Sequence, residues 1–439
     1  MNTPIHDFVS RTIDSGTSRL HMPGHKGVGP LGCEARDITE IAGADELYAA
    51  TGIIAESEHN AAALFGTGAT FYATEGSSQC VRAMLYLAMA NRDGGEGRAV
   101  ALAARNVHKA FLYAAALCDF DVEWQYPESP DDICACPVTP RDLAERLDAM
   151  AVRPFCVYVT SPDYLGGMQD IRGLSDVCHA RGVPLIVDNA HGAYLRFLPE
   201  SLHPIDLGAD MCCDSAHKTL PVLTGGAYLH VSQDADPRLI DGAKGALALF
   251  GSTSPSWLIL QSLDLCNARL SGDWPGALAR TAQRVDELRR RLADRGFAIH
   301  GSEPMKLTLR GDGFLLADAL RRGGVTCEFA DREFVVLMFA PDNSRRDYER
   351  IDAALQIPGP HAGPPSPVLP RPQRAMTIRQ AMFSPGEVVP VSRAAGRVCA
   401  APTVSCPPAV PVAVSGEIVT PAVVDTLRYY GIEKMRVCK

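Results

Sequence analysis

No two cysteines in this 439-residue chain stand in a C-x-x-C pair, although the chain carries 14 of them. Cys134 and Cys136 are one residue apart, Cys212 and Cys213 are adjacent, and the others are scattered, several inside apolar runs such as "PFCVYV". This pattern suits buried free thiols in a reducing compartment better than a disulfide framework or a zinc site, and no metal is expected. A positive field is also missing. The formal net charge is −9, so a nucleic-acid partner is not expected, while small cationic substrates are mildly favoured. No uncharged apolar run reaches the ~18–20 residues that a membrane helix needs. The opening segment "MNTPIHDFVSRTIDSGTSRLHMPGHKG" lacks the apolar core of a signal peptide. The expectation is a cytoplasmic protein with no membrane partner. There is no internal repeat.

What is present is ordinary for a soluble globular protein: 46% hydrophobic and 21% charged residues, at a length that suggests a large domain with one or two smaller ones. Residues 1–60 read as polar and irregular. Strands and helices then alternate. "SSQCVRAMLYLAMA" (77–90) is helical by period and is capped after Gly76. "AVALAA" (99–104) is a strand, "HKAFLYAAAL" (108–117) a helix, and "TPRDLAERLDAM" (139–150) a helix with Thr139 at its cap. "FCVYVTSP" (155–162) is a strand and "IRGLSDVCHARG" (171–182) a helix. "VPLIVDNAHGA" (183–193) and "GADMCCDSAHK" (208–218) read as strands running into polar tips. Apolar strands separated by helices mean an α/β fold whose mostly parallel sheet is covered on both faces, with sites beyond the strands' carboxyl ends. A long amphipathic helix (275–296) leads into a small α+β unit, then a Pro/Gly-rich linker, then a segment too short to stand alone, expected to dock on the rest.

Three polar tips carry the candidate chemistry. Gly76, Ser77 and Ser78 open a helix, where free N–H groups and hydroxyls suit a phosphate. Asp188 ends a buried strand, with His191 three residues on. Ser215, His217 and Lys218 end the next strand, where a buried amine must neutralise, pair or do chemistry. Taken singly, each has an ordinary reading: an N-cap, a turn-capping carboxylate, a solvated lysine. Together, a phosphate cradle, a carboxylate and a lysine on one sheet edge match the needs of pyridoxal phosphate.

Several blocks, in order, resemble the Orn/Lys/Arg decarboxylases. They are "RLHMPGHKG" (19–27), "DITEIAGADEL" (37–47), "SPDYLGG", "DNAHGA", "SAHK", "STSPSWLILQSLD" (252–264) and "VVPVSRAAGRVCAAPTVSCPPAVPVAVSGE" (388–417). The chain is most similar to short bacterial forms without an N-terminal wing domain, which argues against large decameric rings. The resemblance implies a fold-type-I, aspartate aminotransferase-like large domain over 61–274. It also implies an N-terminal segment (1–60) packing at the active site, a small α+β domain (275–356), a linker (357–373) and a C-terminal decarboxylase domain (374–439).

The implied activity is decarboxylation of arginine, or next lysine or ornithine, to the amine and CO2, with polyamine biosynthesis and acid resistance both open as roles. The resemblance further implies that Lys218 is the Schiff-base lysine, that Asp188 partners the pyridine nitrogen and that His108 stacks on the ring. Gly76, Ser77, Ser78, Ser215 and His217 would hold the phosphate, Ala190 would pack on the ring and His191 would help fix it. Ser252 and Thr253 match positions that reach a neighbouring subunit's phosphate, which implies a homodimer with shared sites. Glu417 is a candidate contact for a cationic substrate side chain. The chain departs from the family's common wording where Asn189 replaces the Glu of "DEAHG", where Asp214 and Ala216 alter "QSTHK", and where Cys406 and Ala409 alter "YPPGIP". Two other readings stay open: another reaction of the same cofactor, such as transamination with Arg345 or Arg346 holding the carboxylate, and a catalytically silent regulatory homologue.

Overall fold

The computed structural model describes residues 1–93, 97–127, 133–357, 367, 369–404 and 410–439. Cys406, Ala409 and most of the Pro/Gly-rich linker lie outside the described residues. Through Val231 the strands are β1 (Ala69–Ala73), β2 (Val100–Ala104), β3 (Asp121–Gln125), β4 (Cys156–Thr160), β5 (Leu185–Asp188), β6 (Met211–Asp214) and β7 (Ala227–Val231). The chain folds as two compact units, Met1–Gly94 with Ile171–Ala277, and Gly95–Asp170 with Leu278–Lys439.

In the first unit β5 pairs parallel to β6, with Ile186 opposite Met211. β7 pairs antiparallel to both β6 and β1. β5, β6 and β7 are buried along their whole length, which is why they read as near-continuous apolar runs, interrupted only by Asp188, Asp214 and His230, rather than alternating ones. The Ser77–Ala90 helix begins at the residue its sequence signals: Gly76, its N-cap, has φ 74° and ψ 175°, a conformation almost confined to glycine.

The polar, irregular reading of residues 1–60 needs correction. Pro4–Asp14 and Ile53–Phe65 are helices. The first has Pro at its start and carries Ile5, Phe8, Val9 and Ile13 at i, i+3, i+4 and i+8, burying Ile5 and Val9, a helical stripe that the polar reading overlooked. Its Thr3 side chain caps no backbone N–H, donating to Asp7 Oδ1 at 2.9 Å. Instead a remote carboxylate, Asp264, accepts from the His6 N–H at 2.9 Å, so tertiary contact supplies the cap that local sequence lacks.

In the second unit β2 pairs parallel with β3 and with β4. His108 and Thr139 cap the flanking helices Lys109–Cys118 and Pro140–Ala149. An antiparallel sheet follows, built from β8 (Ala298–His300), β9 (Lys306–Arg310), β10 (Phe329–Ala330) and β11 (Phe334–Met338). The C-terminal segment does dock: Val391, Val412, Val423, Leu427 and Val437 share one buried cluster with Phe334 and Val336 of β11. Its last strand, Lys434–Cys438, pairs antiparallel with Gly386–Pro390. The 13 cysteines in the described residues are free. Burial pushes the Cys212 and Cys213 thiols far above their ordinary range, so both stay neutral. Among the described residues no helix is long and apolar enough to cross a membrane.

Candidate active site

Lys218 is not at the end of a buried strand. β6 stops at Asp214, and the lysine lies on the one-turn helix Ala216–Thr219 with its side chain exposed. Its partner is a histidine: Nζ is 3.1 Å from Nε2 of the buried His191. At that distance the imidazole Nε2 can accept from the lysine amine.

The Thr-Gly-Gly stretch after the lysine holds the cradle together. The Gly225 carbonyl accepts from Gly76 N–H at 2.8 Å, and the Gly226 carbonyl accepts from His217 N–H at 3.1 Å. His217 Nδ1 also lies 3.0 Å from that Gly226 oxygen, so Nδ1 carries the proton and Nε2 faces away. A Cβ at Gly225 would stand 2.9 Å from the Thr74 carbonyl oxygen, and φ there is +100°, so close backbone approach and conformation both require glycine. In front of the Gly76 turn there is room, since an added Cβ would meet only His217 Cε1, at 4.0 Å. The Ser77–Ala90 helix has no side-chain cap, and Ser215 Oγ donates to Ser77 Oγ at 2.7 Å. Ser78 follows in the same first turn. Ser252 N–H donates to Glu75 Oε1, one residue before the turn, and both Ser252 and Thr253 are exposed.

Asp188, 3% exposed, closes β5 and accepts from Ala190 N–H at 3.2 Å. Asn189 and Asp214 are both fully buried, and Asn189 Nδ2 donates to Asp214 Oδ1 at 2.6 Å. His203 and His230, absent from the sequence reading, each place Nε2 3.2 Å from Asp214 Oδ2. A signal for them existed. A carboxylate ending an apolar strand needs donors, and "AYLHV" carries a histidine in the adjacent apolar strand.

The remaining candidates belong to the second unit. His108 is the N-cap of its helix, with Nδ1 accepting from Ala110 N–H at 3.2 Å. Glu417 is buried, paired with Arg105 at 3.3 Å and accepting from Val414 N–H at 2.7 Å. Burial raises its pKa and Arg105 opposes that. Its charge is therefore engaged inside the unit. It also lines a cavity of about 560 Å³ whose wall includes Trp124, Tyr126, Arg371 and Arg374.

A family model described as "Orn/Lys/Arg decarboxylase, major domain" matches residues 33–311. The chain belongs to that family. The decarboxylase is 27% identical over 460 residues to an arginine decarboxylase of Bacillus subtilis, covering 95% of this chain and 91% of the relative. An arginine decarboxylase of Halalkalibacterium halodurans matches at the same identity and coverage. Among solved structures, the constitutive lysine decarboxylase of Escherichia coli superposes with TM-score 0.80 at 18% identity, over all of this chain and 82% of its own. The Francisella novicida lysine decarboxylase gives 0.81 at 16% identity, over all of this chain and 81% of its own. These likenesses establish the fold as that of the fold-type-I pyridoxal phosphate enzymes. The enzyme is thus a pyridoxal-phosphate-dependent decarboxylase acting on basic amino acids.

The first unit fits this cofactor. The open space before the Gly76 turn, the uncapped helix N-terminus and the Ser77 and Ser215 hydroxyls suit a phosphate. The same unit also supplies an amine and a buried carboxylate from adjoining segments, which is the donor set the cofactor needs.

Proposed function

We propose that the decarboxylase converts arginine, or failing that lysine or ornithine, to the corresponding amine and CO2, with the amine serving polyamine biosynthesis. Arginine comes first because the chain's curated relatives of near-full length include arginine decarboxylases. Lysine follows because its structural neighbours include lysine decarboxylases.

In this reading Lys218 is the amine that attaches the cofactor and Asp188 is the carboxylate facing its ring nitrogen. Gly76, Ser77, Ser78, Ser215 and His217 receive the phosphate, Ala190 and His108 contact the ring, and Ser252 and Thr253 serve the partner chain of a cytoplasmic homodimer. Residues 61–274 are the cofactor-binding domain, with residues 1–60 packing at its active site, followed by the small domain (275–356), the linker (357–373) and the C-terminal domain (374–439). When bound, pyridoxal phosphate supplies an electron sink for the electron pair freed at Cα as CO2 leaves. The chain's own residues do the rest. Helix-end N–H groups and hydroxyls fix the phosphate and so fix the ring's orientation. The buried Asp188 offers a negative charge where water does not screen it. His191 takes or holds a proton at Lys218 Nζ.

The observation that carries the proposal is the 3.1 Å contact of Lys218 with His191, on the same structural unit as the Gly76 cradle and Asp188. Glu417 is the weakest member of the set, because binding a cationic substrate would compete with Arg105. Lys218→Ala is the direct test. It should abolish the yellow absorbance of the lysine-bound cofactor and lower CO2 release by more than about a thousandfold. Absorbance that survives the substitution would remove Lys218 from its role.

A further inference from the structure

Two of the positions at which this chain departs from its family's common wording touch each other. Asn189 Nδ2 donates to Asp214 Oδ1 at 2.6 Å, and both residues are fully buried. Asn189 directly follows Asp188 at the end of β5. Asp214 ends β6, directly before Ser215 and four residues before Lys218. The bond is therefore a strut between the end of the strand that carries Asp188 and the end of the strand that leads into Lys218.

The strut is anchored from behind. Asp214 Oδ2 receives His203 Nε2 and His230 Nε2, both at 3.2 Å, from side chains with no exposure. His230 Nδ1 lies 2.8 Å from Thr70 Oγ1, which lies 2.8 Å from Thr67 Oγ1. With Nε2–H given to Asp214, Nδ1 is an acceptor, so Thr70 donates to it and Thr67 donates to Thr70. The Phe65 ring closes the cluster, 4.4 Å from the His230 ring and 5.6 Å from that of His203. A carboxylate so deep would neutralise without partners. Burial would raise its pKa, but the two histidines overcome this and hold it well below the ordinary carboxylate range. Burial also holds His230 below its usual value. The cluster thus concentrates one negative charge on Asp214.

We propose that Asp214 is a positioning residue of the decarboxylation site, its buried carboxylate locking the end of β5 that bears Asp188 to the end of β6 that leads into Lys218. The inference rests on the roles given above to Asp188 and Lys218. In the common wording "DEAHG" and "QSTHK" the carboxylate and the amide sit the other way round. This chain keeps the pair and reverses its sense.

The reversal supplies the test. Asn189→Glu, Asp214→Gln and the double substitution are made in the full-length chain. Cofactor affinity is titrated by absorbance, kcat and KM are measured separately for CO2 release, and metal content is determined. Asn189→Glu sets two carboxylates against each other and Asp214→Gln leaves two amides, so each single change should weaken cofactor binding about tenfold. The double variant should recover to within about threefold of the parent. Asn189→Ala, which leaves Asp214 its two histidines, should keep the fold and lower kcat more than it raises KM. A double variant no better than its worse parent would overturn the proposal, as would unchanged cofactor affinity in Asp214→Gln. Stoichiometric zinc that is lost in Asp214→Gln would overturn it too, making the cluster a metal site. Failure of the underlying assignment reads out separately, as absorbance retained in Lys218→Ala.

Discussion

Two buried carboxylates behave oppositely, and the difference lies in their donors. Asp214 has three side-chain N–H donors and is held ionised. Asp264 also has none of its side chain exposed, but among the described residues no histidine side chain pairs with it: it accepts from Ser57 Oγ at 2.5 Å and His6 N–H at 2.9 Å. Burial pushes its pKa up to about 6, against the lowering effect of those two bonds. Because the folded value exceeds the unfolded one of about 3.9, the folded state holds this proton more tightly. Stability should therefore fall as pH rises from about 4 to about 6, by roughly 2–3 kcal/mol. Asp264→Asn should flatten that slope in urea titrations across the range. For Asp214 the sign reverses: its contribution is full above the ordinary carboxylate range and fades only in stronger acid. His217 gives a third expectation. Burial first, and then Lys218, lower its pKa, while the Gly226 carbonyl raises it. Donating to a phosphate requires a second proton on the ring, so cofactor affinity should fall with rising pH more steeply in the parent than in His217→Asn. Parallel profiles would mean His217 stays neutral and does not donate.

At the scale of elements, the turn at Gly76 is the part most exposed to a single change. Its φ of 74° with ψ of 175° admits almost only glycine. Gly76→Ala should cost about 1–3 kcal/mol in unfolding free energy and loosen the cofactor, although space exists for the methyl group. This turn was legible in the sequence, since Gly-Ser-Ser before a 3.6-residue period announces the helix and its end. So were β5 and β6, whose apolar runs stop at Asp188 and Asp214. The one-turn helix bearing Lys218 was not, because four residues are too few to show a period. The N-terminal helix was missed because its cap is Asp264, distant in sequence. The cluster on Asp214 was hidden for a related reason: His203, Asp214 and His230 come from three segments, and only folding brings them within 3.2 Å. Asn189 and Asp214 were visible as departures, but their compensation was not, because no local pattern links two strand ends.

For the whole molecule, the proposal of a homodimer with shared sites makes a quantitative expectation. A chain with Lys218→Ala and a chain with Ser252→Ala and Thr253→Ala are each expected to be impaired. Denatured together and refolded, half of the dimers are mixed, and each mixed dimer holds one site with both lesions and one with neither. Activity should return to about a quarter of the parent's. No return would mean that each site is built within one chain. The net charge of −9 belongs to this scale as well, since it favours approach of a cationic substrate and predicts that kcat/KM falls as salt rises. The central claim, that the protein releases CO2 from a basic amino acid, is tested most directly by incubating the enzyme, supplied with pyridoxal phosphate, with arginine, lysine and ornithine in turn. CO2 should appear in equal amount to the primary amine, fastest with arginine. A keto acid formed without CO2 would contradict the account.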